Sequence, residues 1–382
     1  MPSDTDRPIG RPIGHPIGHP IATVRLVFRD GGETAGDLSV AERAGSNLFV
    51  ASDEGARIVH MAAEDDGTLY RQDAVYPLAD FFALPVTIPG EDEADIEGMA
   101  IADGWLWVTG SHALARKKPG RDESSTEKAL ERLTEVRCDP NRFLLGRVPL
   151  VTEAGGRLTP VRRDGKRTAG CLKFRKGGNA LTKALAEDEH LARFVAVPAK
   201  ENGFDVEGLA AHGDRVWLGL RGPVLRGWAC ILELAVEDHP DVEERLRLRP
   251  IGPNGEKYRK HFVDLDGLGI RELTFDGEDL VILAGPTMDL DGPVSLWRWT
   301  DVLSVTHETV IPRDRLVHLL NLPHGKGDDH AEGIACVRRD GAPPALLVVY
   351  DSPSKTRLHS AGTTADLFAL PSRYDAANAS LA

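Results

Sequence analysis

Four glutamates recur at the start of short apolar segments. They are Glu97 in DIEGMAIADGWLWVTGS, Glu207 in DVEGLAAHGDRVWLGLR, Glu272 in IRELTFDGEDLVILAGP and Glu332 in HAEGIACVRRDGAPPALLVVYD. A fifth copy, DLSVAERAGSNLFVASD, carries Ser39 at the matching place. In four copies this landmark lies 14 residues before the residue that ends an apolar run: Asp53, Ser111, Arg221 or Pro286. In the last copy Glu332 lies 19 residues before Asp351. Just ahead of the glutamates stand Asp95, Asp205, Arg271 and His330. If the copies are arranged in a ring, four carboxylates face one another. At about 6 Å and an effective dielectric of about 20, each close pair repels by roughly 2.8 kcal/mol. Raised pKa values, cationic partners or a bound cation relieve this. Calcium, which takes six to eight oxygen ligands, suits such a ring better than magnesium.

That chemistry assigns roles. Glu97, Glu207, Glu272 and Glu332, with Asp95 and Asp205, are the candidate metal ligands. His330 is the candidate general base, grouped with Asp53, Asp351, Arg221 and Arg271 as the catalytic set. Arg221, Arg226 and Arg271 can hold an anionic substrate, and Ser111, His112 and Lys117 are further binding candidates. A structural reading stands beside this one. An equivalent polar residue in every copy also serves to bond a neighbour's backbone. Arg221 and Arg271 are then countercharges, and no metal is needed.

The elements that must position these groups are read from the same copies. Each contains an apolar strand, a turn signal such as ADG or HGD, and an alternating strand such as WLWV or RVWL. Third strands follow (RIVHM, RFLLGRVPLV, CILELAV, VSLWRW, TRLHS), and fourth strands precede the next copy. Four antiparallel strands per unit, at spacings of 58, 110, 65 and 60 residues, predict an all-β β-propeller. Five blades are preferred, with six as the alternative. TVRLVF (23–28) completes the last blade and closes the ring, removing exposed sheet edges. The 110-residue gap holds insertions at about 116–134 and 159–191 in the second blade, and NALTKALAEDEHLARF has helical apolar spacing. Residues 1–20, with RPIG and HPIG in tandem, read as a mobile tail, so 21–382 form a single domain.

Composition bounds the rest. The 382 residues include 39 Gly and 25 Pro, which favours turns and short strands, and the net charge of −13 disfavours nucleic acid as a partner. No apolar run is long enough to span a membrane, and no signal-peptide core precedes Arg25. Cys138, Cys171, Cys230 and Cys336 form no CxxC pair. A cytoplasmic monomer is the expectation. Between Arg116 and Lys176, 17 basic residues meet 8 acidic ones, a local excess able to attract an anion or a protein partner. Ser111-His112 lacks a GxSxG elbow, which argues against a serine hydrolase. MDLDG (288–292) lacks the downstream Glu of an EF-hand and reads as a turn.

The segments DIEGMA…WVTGSHALARKKP, RFLLGRVPL and FDVEGLA…GLRGPVLRGWA resemble the bacterial family called domain of unknown function 3616, over about residues 35–370. That resemblance implies no particular activity. More distantly, the repeated Glu-Gly is similar to calcium-dependent propeller hydrolases of the esterase-like phytase and gluconolactonase types. Those enzymes place metal-binding carboxylates at the channel mouth. The chain departs from them by carrying Ser39 in one ring position and Arg271 beside another.

Two functions follow as expectations. One is a divalent-metal-dependent hydrolase, calcium being the candidate ion, acting on a small anionic ester, phosphoester or lactone. The other is a non-enzymatic propeller that binds a protein or small anion through the same face and the basic insertion.

Overall fold

The computed structural model describes residues 17–29, 33–64, 67–88, 90–120, 125–288, 290–339 and 341–372. The run 1–16, with its repeated RPIG, lies outside the described residues, as does Asp289 of MDLDG. Of residues 17–20, Gly18 N donates to Asn321 O at 2.8 Å.

Alternating apolar residues and tight turns produce five inner hairpins. Their first strands are Leu38–Ala44, Ile96–Ala102, Asp205–His212, Gly269–Asp276 and His330–Val337. Each pairs antiparallel with the strand that follows it. Asp103 and Gly104 show how the turns work. Both have positive φ, +49° and +76°, as a two-residue turn matched to strand twist requires.

Third strands continue each unit outward: Arg57–Glu64, Leu145–Thr152, Trp228–Asp238, Val294–Trp299 and Gly362–Ala369. The outermost strand beside Gly362–Ala369 is the N-terminal Ala22–Val27, antiparallel to it. Ala22–Val27 also runs parallel to Leu69–Pro77 of the first unit, giving one eight-stranded sheet. A parallel pairing of Gly170–Leu172 with Arg245–Arg249 joins the second and third units into an eleven-stranded sheet.

The first strands touch one another in a circle, Leu38–Ala44 against Ile96–Ala102 and so on round to His330–Val337, which meets Leu38–Ala44 again. The result is an all-β, propeller-like ring. Glycine permits the close approach at the axis. A Cβ on Gly98 would lie 2.6 Å from Leu209 Cβ, and one on Gly333 would lie 2.8 Å from Ala41 N. Apolar layers fill the wedges between neighbouring units. Trp107, Leu145, Leu209 and Leu218 pack between the second and third, and Val281, Leu283, Ile334 and Val348 between the fourth and fifth. Burying each such large side chain contributes about 1.5–3 kcal/mol.

Two helices interrupt the pattern, one within the second unit and one between the second and third. Thr126–Thr134 is capped by Ser125 Oγ and buries none of its residues. Ala180–Leu185 is capped by Asn179 and buries Leu181 and Leu185. The helix expected across NALTKALAEDEHLARF is thus one short helix followed by turns. Asp188 explains its end: Oδ1 accepts from the His190 and Leu191 backbone N–H groups, a local alternative to helical bonding. Oδ2 is held by Lys260 Nζ at 2.7 Å and Tyr258 OH at 2.8 Å.

The basic excess of the insertion is distributed over ion pairs with acidic neighbours. Arg116 meets Glu201, Lys117 meets Glu135, Arg147 meets Asp238, Arg162 meets Glu244 and Arg163 meets Glu243. No helix among the described residues is long and apolar enough to cross a membrane.

Candidate active site at the channel mouth

A β-bulge sits at the same place in all five inner hairpins. The register skips one residue between Leu38 and Val40, Ile96 and Gly98, Val206 and Gly208, Ile270 and Glu272, and Ala331 and Gly333. The skipped residues are Ser39, Glu97, Glu207, Arg271 and Glu332. A bulge re-aims its extra side chain, and ion pairs join three of these, Glu207, Arg271 and Glu332.

This corrects the expected set of four glutamates. Glu272 stands one residue beyond the bulge, aligned with Gly98, Gly208 and Gly333. Its Oε1 accepts from Leu273 N at 2.9 Å and Leu209 N at 3.1 Å, so it bonds the backbone of the neighbouring inner strand. Burial pushes its carboxyl well above the ordinary range. Ser39 is likewise structural, Oγ donating to Ile96 O at 2.7 Å.

The mouth divides into two halves. In one, arginines answer the carboxylates. Arg221 Nη2 lies 2.5 Å from Asp205 Oδ2, and its Nη1 lies 2.5 Å from Glu207 Oε1. Arg271 Nη1 lies 2.9 Å from both Glu207 Oε2 and Glu332 Oε1. Burial drives the Asp205 and Glu332 carboxyls up against the pull of Arg221 and Arg271 respectively.

In the other half, Asp53, Asp95 and Glu97 converge. One carboxylate oxygen of each lies within 4.8 Å of the others. Asp95 is held by Arg142 Nη1 at 2.9 Å, and its φ of +50° marks a strained backbone fixed by its surroundings. Asp53 and Glu97 have no ion-pair partner among the described residues. Burial, then the nearby Asp95, Glu332, Asp351 and Asp37 charges, push Asp53 up to about 8. Burial and the charges of Asp95, Glu207, Glu332 and Asp53 raise Glu97 well above its usual value. Three hard oxygen donors with this much mutual repulsion fit an oxygen-seeking divalent cation such as Ca²⁺, Mg²⁺ or Mn²⁺. The expected ligands Glu207, Glu332 and Asp205 belong instead to the arginine half.

His330 stands between two aspartates, Nε2 at 3.4 Å from Asp291 and Nδ1 at 3.8 Å from Asp351. The bond to Asp351 chiefly raises its pKa. Burial works to raise Asp351, but its bonds to His330 and Ser352 outweigh this and leave it lowered. A cavity of about 390 Å³ opens here, lined by Arg221, Arg271, His330, Glu332, Asp351 and the exposed Lys200, among others.

Four expected binding residues lie elsewhere. Ser111 and His112 are buried beneath the mouth. His112 Nδ1 donates to Gly110 O at 2.9 Å, and Nε2 accepts from Asn179 Nδ2 at 2.8 Å. Burial holds that imidazole down at about 4, so it is a neutral structural hinge. Arg226 sits in the turn between Leu225 and Trp228, outside the cavity lining. Lys117 is paired with Glu135, and its neighbour Lys118 lines the cavity instead. Arg142 was not visible as a site residue in the sequence. It stands in a short 3₁₀ turn before its strand, with no repeat to mark it.

The model of the DUF3616 family, described as a protein of unknown function, matches residues 37–366. The chain belongs to this family. No curated protein matches the DUF3616 chain. Among solved structures, it is similar to Myxococcus xanthus glutaminyl cyclase at 9% identity, covering 93% of this chain and 98% of that one, with a TM-score of 0.39. The phage phi92 endosialidase is 9% identical over 95% of this chain and 72% of that one, at a TM-score of 0.36. An exo-1,5-alpha-L-arabinanase from a bovine ruminal metagenomic library is 9% identical over 90% and 95%, at a TM-score of 0.35.

Proposed function

We propose that this DUF3616 protein is a divalent-cation-dependent hydrolase of a small anionic ester, phosphoester or lactone. The reaction takes place at the mouth of what we read as a five-bladed propeller closed by Ala22–Val27. The observation that carries the proposal is the convergence of Asp53, Asp95 and Glu97 within 4.8 Å, with no protein cation on Asp53 or Glu97. Like charges at that separation, one buried and two half-buried, are relieved by protonation or by a cation that joins them. A divalent ion held there would polarise a carbonyl or phosphoryl oxygen and acidify a bound water.

The remaining residues supply binding and proton handling. Arg271 and Arg221, each already facing carboxylates, place N–H donors beside the incoming anion. His330, oriented by Asp351 and Asp291, can carry a proton to or from the reacting group. Ion pairs on Arg116, Arg147, Arg162 and Arg163 take up part of the insertion's basic excess, which weakens the docking alternative.

The test is a Mn²⁺ and Ca²⁺ titration of the metal-free protein, followed by a panel of ester, phosphoester and lactone substrates. Stoichiometric uptake that is lost in Asp53→Asn and Glu97→Gln, together with metal-dependent turnover, is the expected result. Absence of uptake in folded wild-type protein sinks the metal reading.

A further inference from the structure

The cavity beside His330 has an unlike set of lining residues. Met288 and Leu290 are large apolar side chains that remain 45% and 63% exposed. Lys200 is exposed and has no ion-pair partner among the described residues. Its position is fixed by its neighbours. Ala199 N donates to Leu114 O at 2.9 Å, and Glu201 pairs with Arg116.

Charge in the lining is unevenly satisfied. Glu332 is answered by Arg271, and both Asp291 and Asp351 by His330. Arg271 makes all three of its carboxylate contacts through Nη1, and its Nη2 donates to none of the described residues. An arginine whose second terminal nitrogen is left over, in a cavity that also holds an unpaired lysine, is a seat for an oxyanion. The volume, about 390 Å³, is in the range of small-molecule sites. The two exposed apolar side chains in the same lining gain from covering by a hydrocarbon portion of the same ligand.

We propose that the cavity binds an amphiphilic anion, with its carboxylate or phosphate on Arg271 and Lys200 and its apolar chain along Met288 and Leu290. This deepens the hydrolase reading and rests on it for the reaction, though not for the binding. The substrate class that follows is an amphiphile that keeps this anionic head group free and carries a second, ester or lactone group toward Asp53, Asp95 and Glu97.

Binding is measured by isothermal titration calorimetry of the full chain in EDTA, so that no divalent ion bridges the ligand. The probes are octanoate, octyl phosphate, octanol, octylamine and acetate. Octanoate or octyl phosphate should bind, the tighter of the two identifying the head group, while octanol, octylamine and acetate should not. Lys200→Glu, a change at an exposed site, should weaken octanoate or octyl phosphate by roughly tenfold or more, the scale of a lost charge-assisted contact. Met288→Ser with Leu290→Ser should reduce the octyl anions to the level of acetate. Equal affinity for octanol and octanoate, no binding of either anion, or indifference to Lys200→Glu overturns the proposal. Because these readings are taken without metal, their failure is distinct from a failure of the Asp53, Asp95 and Glu97 site to bind an ion.

Discussion

Arg271 Nη1 lies 2.9 Å from Glu207 Oε2 and 2.9 Å from Glu332 Oε1. The bulge position that carries glutamate in three of the inner strands therefore carries, in a fourth, the countercharge of two of them, Glu207 and Glu332. The ring is an internally neutralised half facing a half of three carboxylates, Asp53, Asp95 and Glu97, and the two halves should respond differently to mutation.

The carboxylate half should govern metal. The wild type should take up Mn²⁺ and melt at a lower temperature in EDTA, and Asp53→Asn and Glu97→Gln should lose both responses. Glu272→Gln should keep both, since Glu272 bonds the backbone of Leu209 and Leu273. Metal analysis of the dialysed proteins with parallel melting curves decides this. Retained uptake in Asp53→Asn would count against the site.

The arginine half should govern stability. Arg221 is 8% exposed and faces two buried carboxylates. Arg221→Met should destabilise by about 3–5 kcal/mol, the usual cost of leaving a buried charge unpaired. Combining it with Asp205→Asn and Glu207→Gln should recover part of that loss. Urea denaturation of the three proteins measures both effects.

Packing at the axis predicts a contrast between two glycines. Gly98→Ala forces a Cβ to 2.6 Å from Leu209 Cβ and 2.9 Å from Leu209 N. It should cost about 1–3 kcal/mol or more, as overpacking does. Gly36→Ala meets nothing within 4 Å and should stay within about 0.5 kcal/mol of wild type. Equal stabilities would mean that the inner strands can slide apart freely.

Acid should weaken the third unit through Glu233. Burial tends to raise its pKa, but His261, Arg215 and Arg259 outweigh that and leave it lowered. A carboxylate whose folded pKa lies below its unfolded value, ordinarily about 4.3, adds stability above that value. The contribution is lost as pH falls through the folded pKa. The stability gap between wild type and Glu233→Gln should thus be largest near neutrality and shrink below about pH 4. Chemical denaturation across that range tests it, and a gap that widens with acid would contradict the sign.

The strand-turn-strand periodicity was legible along the chain because alternation is local: Trp105–Gly110 and Arg215–Gly222 announce strands by themselves, although the structure buries both of their faces and not one. The Glu-Gly landmarks also pointed correctly to one face, since a repeated spacing must return to a repeated place. Membership of DUF3616 was visible in the same motifs. The sequence could not decide which residue occupies a bulge. Glu272 matched the other glutamates by letter and spacing, yet one residue of register separates it from them, and in a strand one residue reverses the side chain. Nor could it show that Arg142, remote from every repeat, would reach Asp95, or that Asp53 would meet Glu97 from the neighbouring inner strand's unit. Such pairings join residues tens of positions apart and depend on how the units close into a ring. The tertiary structure alone settled which carboxylates were neutralised and which were left together.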